Sequence, residues 1–98
     1  MAKTGRSLLQ YIETVGDVSN LDFRYEHAIC YCVNILSEKI KNATLGFDPH
    51  LREYWSALRV ITAQQDQKVD FTKIWTDLLK ATTALLAVIE EKLEAILE

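Results

Sequence analysis

From Asp70 to Glu98 the chain contains no glycine and no proline, and apolar residues recur at helical spacing: Phe71, Ile74, Trp75, Leu78, Leu85, Ile89, Leu93 and Ile96. The pattern predicts one unbroken helix over about 71–97, with Asp70 as its N-cap. At about 1.5 Å per residue it reaches roughly 40 Å, and no other segment here supports a helix of that length. Whatever this chain folds into must cover the apolar stripe of that helix or leave part of it to a partner.

The rest of the chain is punctuated by three glycines and one proline and shows no convincing strand alternation, so the expected class is all-α. A short first helix is predicted over about 8–15. Ser7 and Gln10 suit a capping box, Leu8, Leu9, Ile12 and Val15 form a face, and Gly16 supplies the stop. A second helix is predicted over about 22–43, capped by Ser19 or Asn20, with an inner stripe of Tyr25, Ile29, Cys32, Val33, Leu36 and Ile40; Gly46 breaks the chain after it. A third is predicted over about 49–65. There Asp48 is the N-cap and Pro49 occupies the first helical position, where a missing N–H costs nothing. Short connections make consecutive helices antiparallel. The expected architecture is one domain over 1–98, an up-down bundle of three main helices with a short N-terminal helix beside them.

In that arrangement the third helix, laid antiparallel to the last, covers it only to about Leu86. Leu85, Leu86, Ile89, Leu93, Ile96 and Leu97 are then expected to meet something outside the third helix, most simply a second copy of the chain. Glu90, Glu91, Glu94 and Glu98 oppose the helix macrodipole at this end, so packing has to stabilise it. Two stretches, His27–Ser37 and Ala81–Ile89, carry no charge on any face. A surface helix normally shows a charged side, and these belts point again to association.

Phe23, His27, Cys30 and Asn34 fall on one face of the second helix at spacings of four, three and four. They are read as an interface face, with Asn34 fixing register as a buried Asn does in coiled coils. The rival reading is a pocket between the second and fourth helices lined by His27, Cys30, Asn34 and Thr82. Zinc needs four ligands and only His50 remains as another histidine, so no metal site is expected. Cys30 and Cys32 point about 200° apart around a helix and form no disulfide with each other. Arg52 and Arg59 share a face of the third helix, where they suit either ion pairs with the acidic end containing Glu90 or an anion.

The net charge of −3 and the scatter of basic residues among acids argue against a nucleic-acid face, and no nucleic-acid partner is expected. No apolar run approaches the roughly 20 residues that span a bilayer, and the N-terminus lacks the apolar core of a signal peptide. A cytoplasmic location is expected. There is no glycine-rich phosphate loop, no Glu-x-x-His pair and no nucleophile with a base, so neither an enzyme nor a cofactor is expected. The sequence therefore reads as a small intracellular interaction module, an adaptor, inhibitor or regulatory subunit, homodimeric through its long C-terminal helix. The alternative is a small-molecule-binding or sensing bundle with a pocket between its second and fourth helices.

Overall fold

The computed structural model of the chain describes residues 2–43, 47–62 and 70–97, with the side chains of the last helix described as far as Glu91. Its elements are α1 (Ala2–Val15), a 3₁₀ turn at Val18–Asn20, α2 (Phe23–Asn42), α3 (Pro49–Thr62) and α4 (Phe71–Leu97). The all-α class holds, and the described residues contain no strand. The bounds of α4 match the periodic run that predicted it. The last turn expected of α3, the break expected at Gly46 and the segment between α3 and α4 lie outside the described residues.

Local chemistry explains where each helix starts and stops. Gly16 adopts a left-handed φ of 71° and returns its N–H to the Ile12 carbonyl at 2.9 Å, which closes α1. Asp17 accepts from the Ser19 amide and sets the 3₁₀ turn. Asp22 caps α2, in place of the Ser19 or Asn20 expected: its carboxylate accepts from the amides of Arg24 and Tyr25. Asp48 accepts from the His50 amide at 2.8 Å and starts α3 at Pro49, as expected.

Arg52, in the first turn of α3, stacks over the Phe47 ring at 5.9 Å and donates to the Ile40 carbonyl at 2.9 Å and the Ala43 carbonyl at 3.4 Å. One side chain thus staples the entry to α3 and caps the exit of α2. The expected pairing of Arg52 with Glu90 is corrected: the α2 carbonyls hold the guanidinium at the helix end nearest to it.

The main correction concerns α1. It starts at Ala2 rather than near Leu8, and Ser7 sits inside it rather than capping it. Gly5, Leu8, Ile12 and Val15 form its buried face. At one end of its seam with α4, a β-carbon added to Gly5 would lie 2.9 Å from Leu86 Cδ2. At the other end, Trp75 Nε1 donates to the Gly16 carbonyl at 3.1 Å. Gly5 to Gly16 and Trp75 to Leu86 are runs of equal length, so the two helices lie antiparallel in one register. By that register Ala2 stands level with Ile89. The stripe Phe71, Trp75, Leu78, Thr82, Leu85 and Ile89 is buried along this length, at alternating spacings of four and three that suit a straight antiparallel neighbour.

The other neighbours follow the same sense. Tyr11 of α1 meets Tyr25 of α2 edge to face at 6.1 Å. Arg52 places the start of α3 beside the end of α2, and Tyr54 of α3 feels the charge of Asp77 on α4. The helices therefore alternate up and down, and α2 is flanked by both α1 and α3. Buried residues from all four helices join in one core, with Trp55, Leu8, Ile12, Ile29, Leu36, Leu78 and Leu85 among those fully enclosed. The longest dimension of the molecule is 43 Å, comparable with the roughly 40 Å length of the 27-residue α4.

Replacing Gly5 by Leu is expected to force the α1–α4 seam apart and destabilise the fold by about 2–3 kcal/mol. Leu86→Ala alone costs on the order of 2–4 kcal/mol. Because the two positions share one space, the double variant should fall short of the sum by about 1 kcal/mol or more in urea unfolding. Arg52→Met keeps the stem and removes the donors to α2. It should cost about 1–2 kcal/mol in the same measurement.

Candidate functional site

With α2 fixed to begin at Phe23, its inward positions are settled: Ile29, Cys32, Val33, Leu36 and Ile40 are buried between α1 and α3. The opposite side of its first half turns to solvent. Phe23, His27 and Tyr31 recur at intervals of four and form one exposed row. Phe23 is 67% exposed and Tyr31 is 68% exposed, the highest values among the large hydrophobic side chains described. His27 meets the Phe23 ring edge to face at 6.4 Å, and the Arg24 guanidinium lies 6.0 Å from the centre of the same ring. Half-buried Ala28 and Ile35 border Tyr31 on one flank, and half-buried Cys30 and Asn34 border His27 on the other.

The polar atoms on that second flank are engaged within α2. The Asn34 amide donates to the Cys30 carbonyl at 2.8 Å, and the Ser37 hydroxyl donates to the Asn34 carbonyl at 3.1 Å. Asn34 thus spends one of its two amide donors on its own helix and keeps a second N–H and its carbonyl oxygen. Burial, reinforced by the negative charge of Glu26, raises the Cys30 thiol above its ordinary value, and burial alone raises Cys32. Both sulfurs are free thiols and are held in the protonated, weakly nucleophilic form.

The expected site residues therefore separate into groups. Phe23 and His27 are exposed and adjacent, while Cys30 and Asn34 lie at the edge of their face. Leu85, Leu86 and Ile89 are not exposed: α1 covers them, because it is longer than its sequence pattern indicated. The side chains of Leu93, Ile96 and Leu97 lie outside the described residues. The expected pocket of His27, Cys30, Asn34 and Thr82 does not form. Thr82 has no accessible surface and its hydroxyl donates to the Leu78 carbonyl at 2.8 Å, whereas His27 faces solvent on α2.

Two contributors to the α2 face escaped the sequence reading, Tyr31 and Arg24. The spacing of Phe23, His27 and Tyr31 was a usable signal. It was hidden because Cys30 and Asn34 suggest more chemistry than a tyrosine does. Among the described residues, no three of His, Cys, Asp and Glu gather closely enough to hold a metal ion. Likewise, no described helix is long and apolar enough to cross a membrane. Comparison of the chain with protein-family models, with curated proteins and with solved structures finds no match.

The raised thiols give a pH dependence of defined sign. Cys30 and Cys32 hold their protons more tightly in the folded chain than in the unfolded one. Their stabilising contribution is complete below the ordinary thiol value of about 9 and is lost as pH rises through the folded values. The urea midpoint is expected to fall between pH 8 and pH 10.5, and to fall less in a Cys30→Ala/Cys32→Ala variant. Alkylation of Cys30 by iodoacetamide should still be accelerating above pH 9.

Proposed function

We propose that this chain is a small protein-interaction module that pairs with a second copy of itself through the outer face of α2. The observation that carries this reading is the exposed row of Phe23, His27 and Tyr31, in which the two large aromatics are each about two-thirds open to solvent. Tyrosine and phenylalanine are favoured at interface centres because they bring large area at small cost in side-chain entropy. The stretch from His27 to Ser37 carries no charged residue and Arg24 lies at the edge of the face beside Phe23, so the middle of the face has no charge pattern to select an oppositely charged partner. An uncharged aromatic centre of this kind is complementary to itself. Under two-fold symmetry Phe23 of one copy lies toward Tyr31 of the other, and His27 falls near the axis.

The size of the contact sets its strength. Phe23 and Tyr31 offer on the order of 250 Å² per copy, against about 800 Å² per partner in a standard interface. Arg24, His27, Ala28 and Ile35 have to add the remainder, and a micromolar dimer is the matching strength. Such an affinity suits a regulatory subunit or adaptor that exchanges partners, in which the same face serves self-pairing and docking on another protein.

Sedimentation equilibrium of the full chain over roughly 1–200 µM tests the proposal, a range chosen to bracket a micromolar constant. The mass is expected to rise from one chain to two. Tyr31→Glu, which desolvates a charge within the face, should leave one chain at every concentration with the helical circular dichroism unchanged. A wild-type chain that stays monomeric throughout would overturn the dimer, as would a dimer indifferent to both Tyr31→Glu and Phe23→Glu.

A further inference from the structure

On the other half of α2 the surface changes character. Ser37 and Lys41 of α2 face Arg52, Glu53, Ser56 and Arg59 of α3 across a half-open cleft of about 330 Å³. The register that sets Arg52 against Ile40 brings Ser56 level with Ser37. Two serines opposite each other leave a gap that longer side chains would fill. The cleft holds three of the chain's eleven Lys and Arg residues and one of its fourteen acids, in a protein of net charge −3. This is a local reversal of sign, and the aliphatic stems of the three cations give it apolar walls.

The charges are arranged unevenly within it. Glu53 stands level with Arg52 and Lys41, which offset it. Arg59 lies two turns further along α3, with no acid beside it among the cleft residues. Arg52 turns its donors to the last carbonyls of α2, so the negative end of that helix does not face the cleft bare. Ser37 donates to the Asn34 carbonyl, which leaves its oxygen to accept from a ligand hydroxyl. Ser56 is exposed, one turn before Arg59, and can donate alongside it.

We propose that this α2–α3 cleft binds a small organic phosphate, with the phosphate on Arg59 and Ser56 and a hydroxyl-bearing body of about the size of a sugar lying toward Ser37 and Glu53. Arg59 supplies the planar pair of donors that matches phosphate oxygens, and Lys41 adds a compact charge to the field. The volume lies at the small end of ligand pockets, which limits the body to a single ring. The cleft takes its α2 residues from the second half of the helix, beyond the row that ends at Tyr31, so the proposal does not rest on self-pairing.

Titration of the full chain with ribose 5-phosphate at low ionic strength, followed by amide chemical shifts, tests it. Ribose and inorganic phosphate serve as separate arms. Saturable shifts centred on Ser37, Ser56 and Arg59 are expected with ribose 5-phosphate, weaker ones at the same residues with inorganic phosphate, and none with ribose. Arg59→Gln should weaken binding about tenfold and Arg59→Lys less, because a lysine keeps the charge but not the paired donors. Lys41→Gln should weaken it about threefold, and added salt should weaken all of it. Both positions are exposed, so the variants keep the fold. Shifts that never saturate, that map elsewhere, or that are the same in Arg59→Gln and wild type would overturn the proposal. Equal affinity for inorganic phosphate and ribose 5-phosphate would overturn the assignment of a sugar-sized body.

Discussion

The seam between α1 and α4 depends on one missing side chain. Gly5 lies where a β-carbon would stand 2.9 Å from Leu86 Cδ2, so the backbone of α1 approaches the α4 side chains closely along its first turns. The hydrogen bond from Trp75 to the Gly16 carbonyl fixes the same seam at its far end. Between these two points Leu8, Ile12 and Val15 face Leu78, Thr82 and Leu85 in a fixed register, and all six are buried. Burial of a Leu or Ile side chain contributes on the order of 1.5–3 kcal/mol, so this seam alone carries a large share of what a chain of this size has available. Glycine inside a helix is unfavourable by about 1 kcal/mol relative to alanine. Its presence at this position is explained by the contact it permits rather than by the helix it weakens.

The seam also shows what could and could not be read from the sequence. The extent of α4 was legible because its apolar spacing is regular and uninterrupted. The Asp48–Pro49 start of α3 and the Gly16 stop of α1 were legible because each rests on a local stereochemical rule. The start of α1 was not. Ser7 and Gln10 offer a capping box, while Ala2, Lys3, Thr4 and Gly5 lack an apolar residue large enough to show periodicity. Gly5 is buried by the approach of Leu86, and a glycine leaves no hydrophobic mark in a pattern. Shortening α1 by two turns then leaves Leu85, Leu86 and Ile89 without cover, and a partner was inferred where the chain itself provides one. For these three residues a misplaced helix start became a misplaced interface, since burial on a long helix depends on how far its neighbours reach.

The uncharged belts have the same physical origin and divide differently. The Ala81–Ile89 belt lies where α1 covers α4, and its large residues are enclosed within the fold. The His27–Ser37 belt lies on a helix packed from two sides, which accounts for Ile29, Cys32, Val33, Leu36 and Ser37. It does not account for Tyr31, which points away from both neighbours. Lack of charge therefore had a structural cause on most positions of these belts, and Tyr31, with Phe23 before the second belt, is what remains once packing has been subtracted.

That remainder gives α2 two surfaces of opposite character on one rigid element. Its first half presents aromatic rings on the side away from the core, and its second half forms one wall of a cationic cleft with α3. Both are set by a helix whose ends are capped, by Asp22 at the start and by Arg52 at the finish, and whose inner face is locked between α1 and α3. Side chains on such a helix keep their relative positions within narrow limits, which is the condition for recognising a ring face or a phosphate group without a prior ordering cost. Arg52 ties the two together. By covering the carbonyls at the end of α2 it holds the helix that carries the aromatic row, and it shields the cleft from the negative end of that helix. A change at Arg52 therefore reaches both surfaces through the stability of α2, whereas a change at Tyr31 is confined to the aromatic row and one at Arg59 to the cleft.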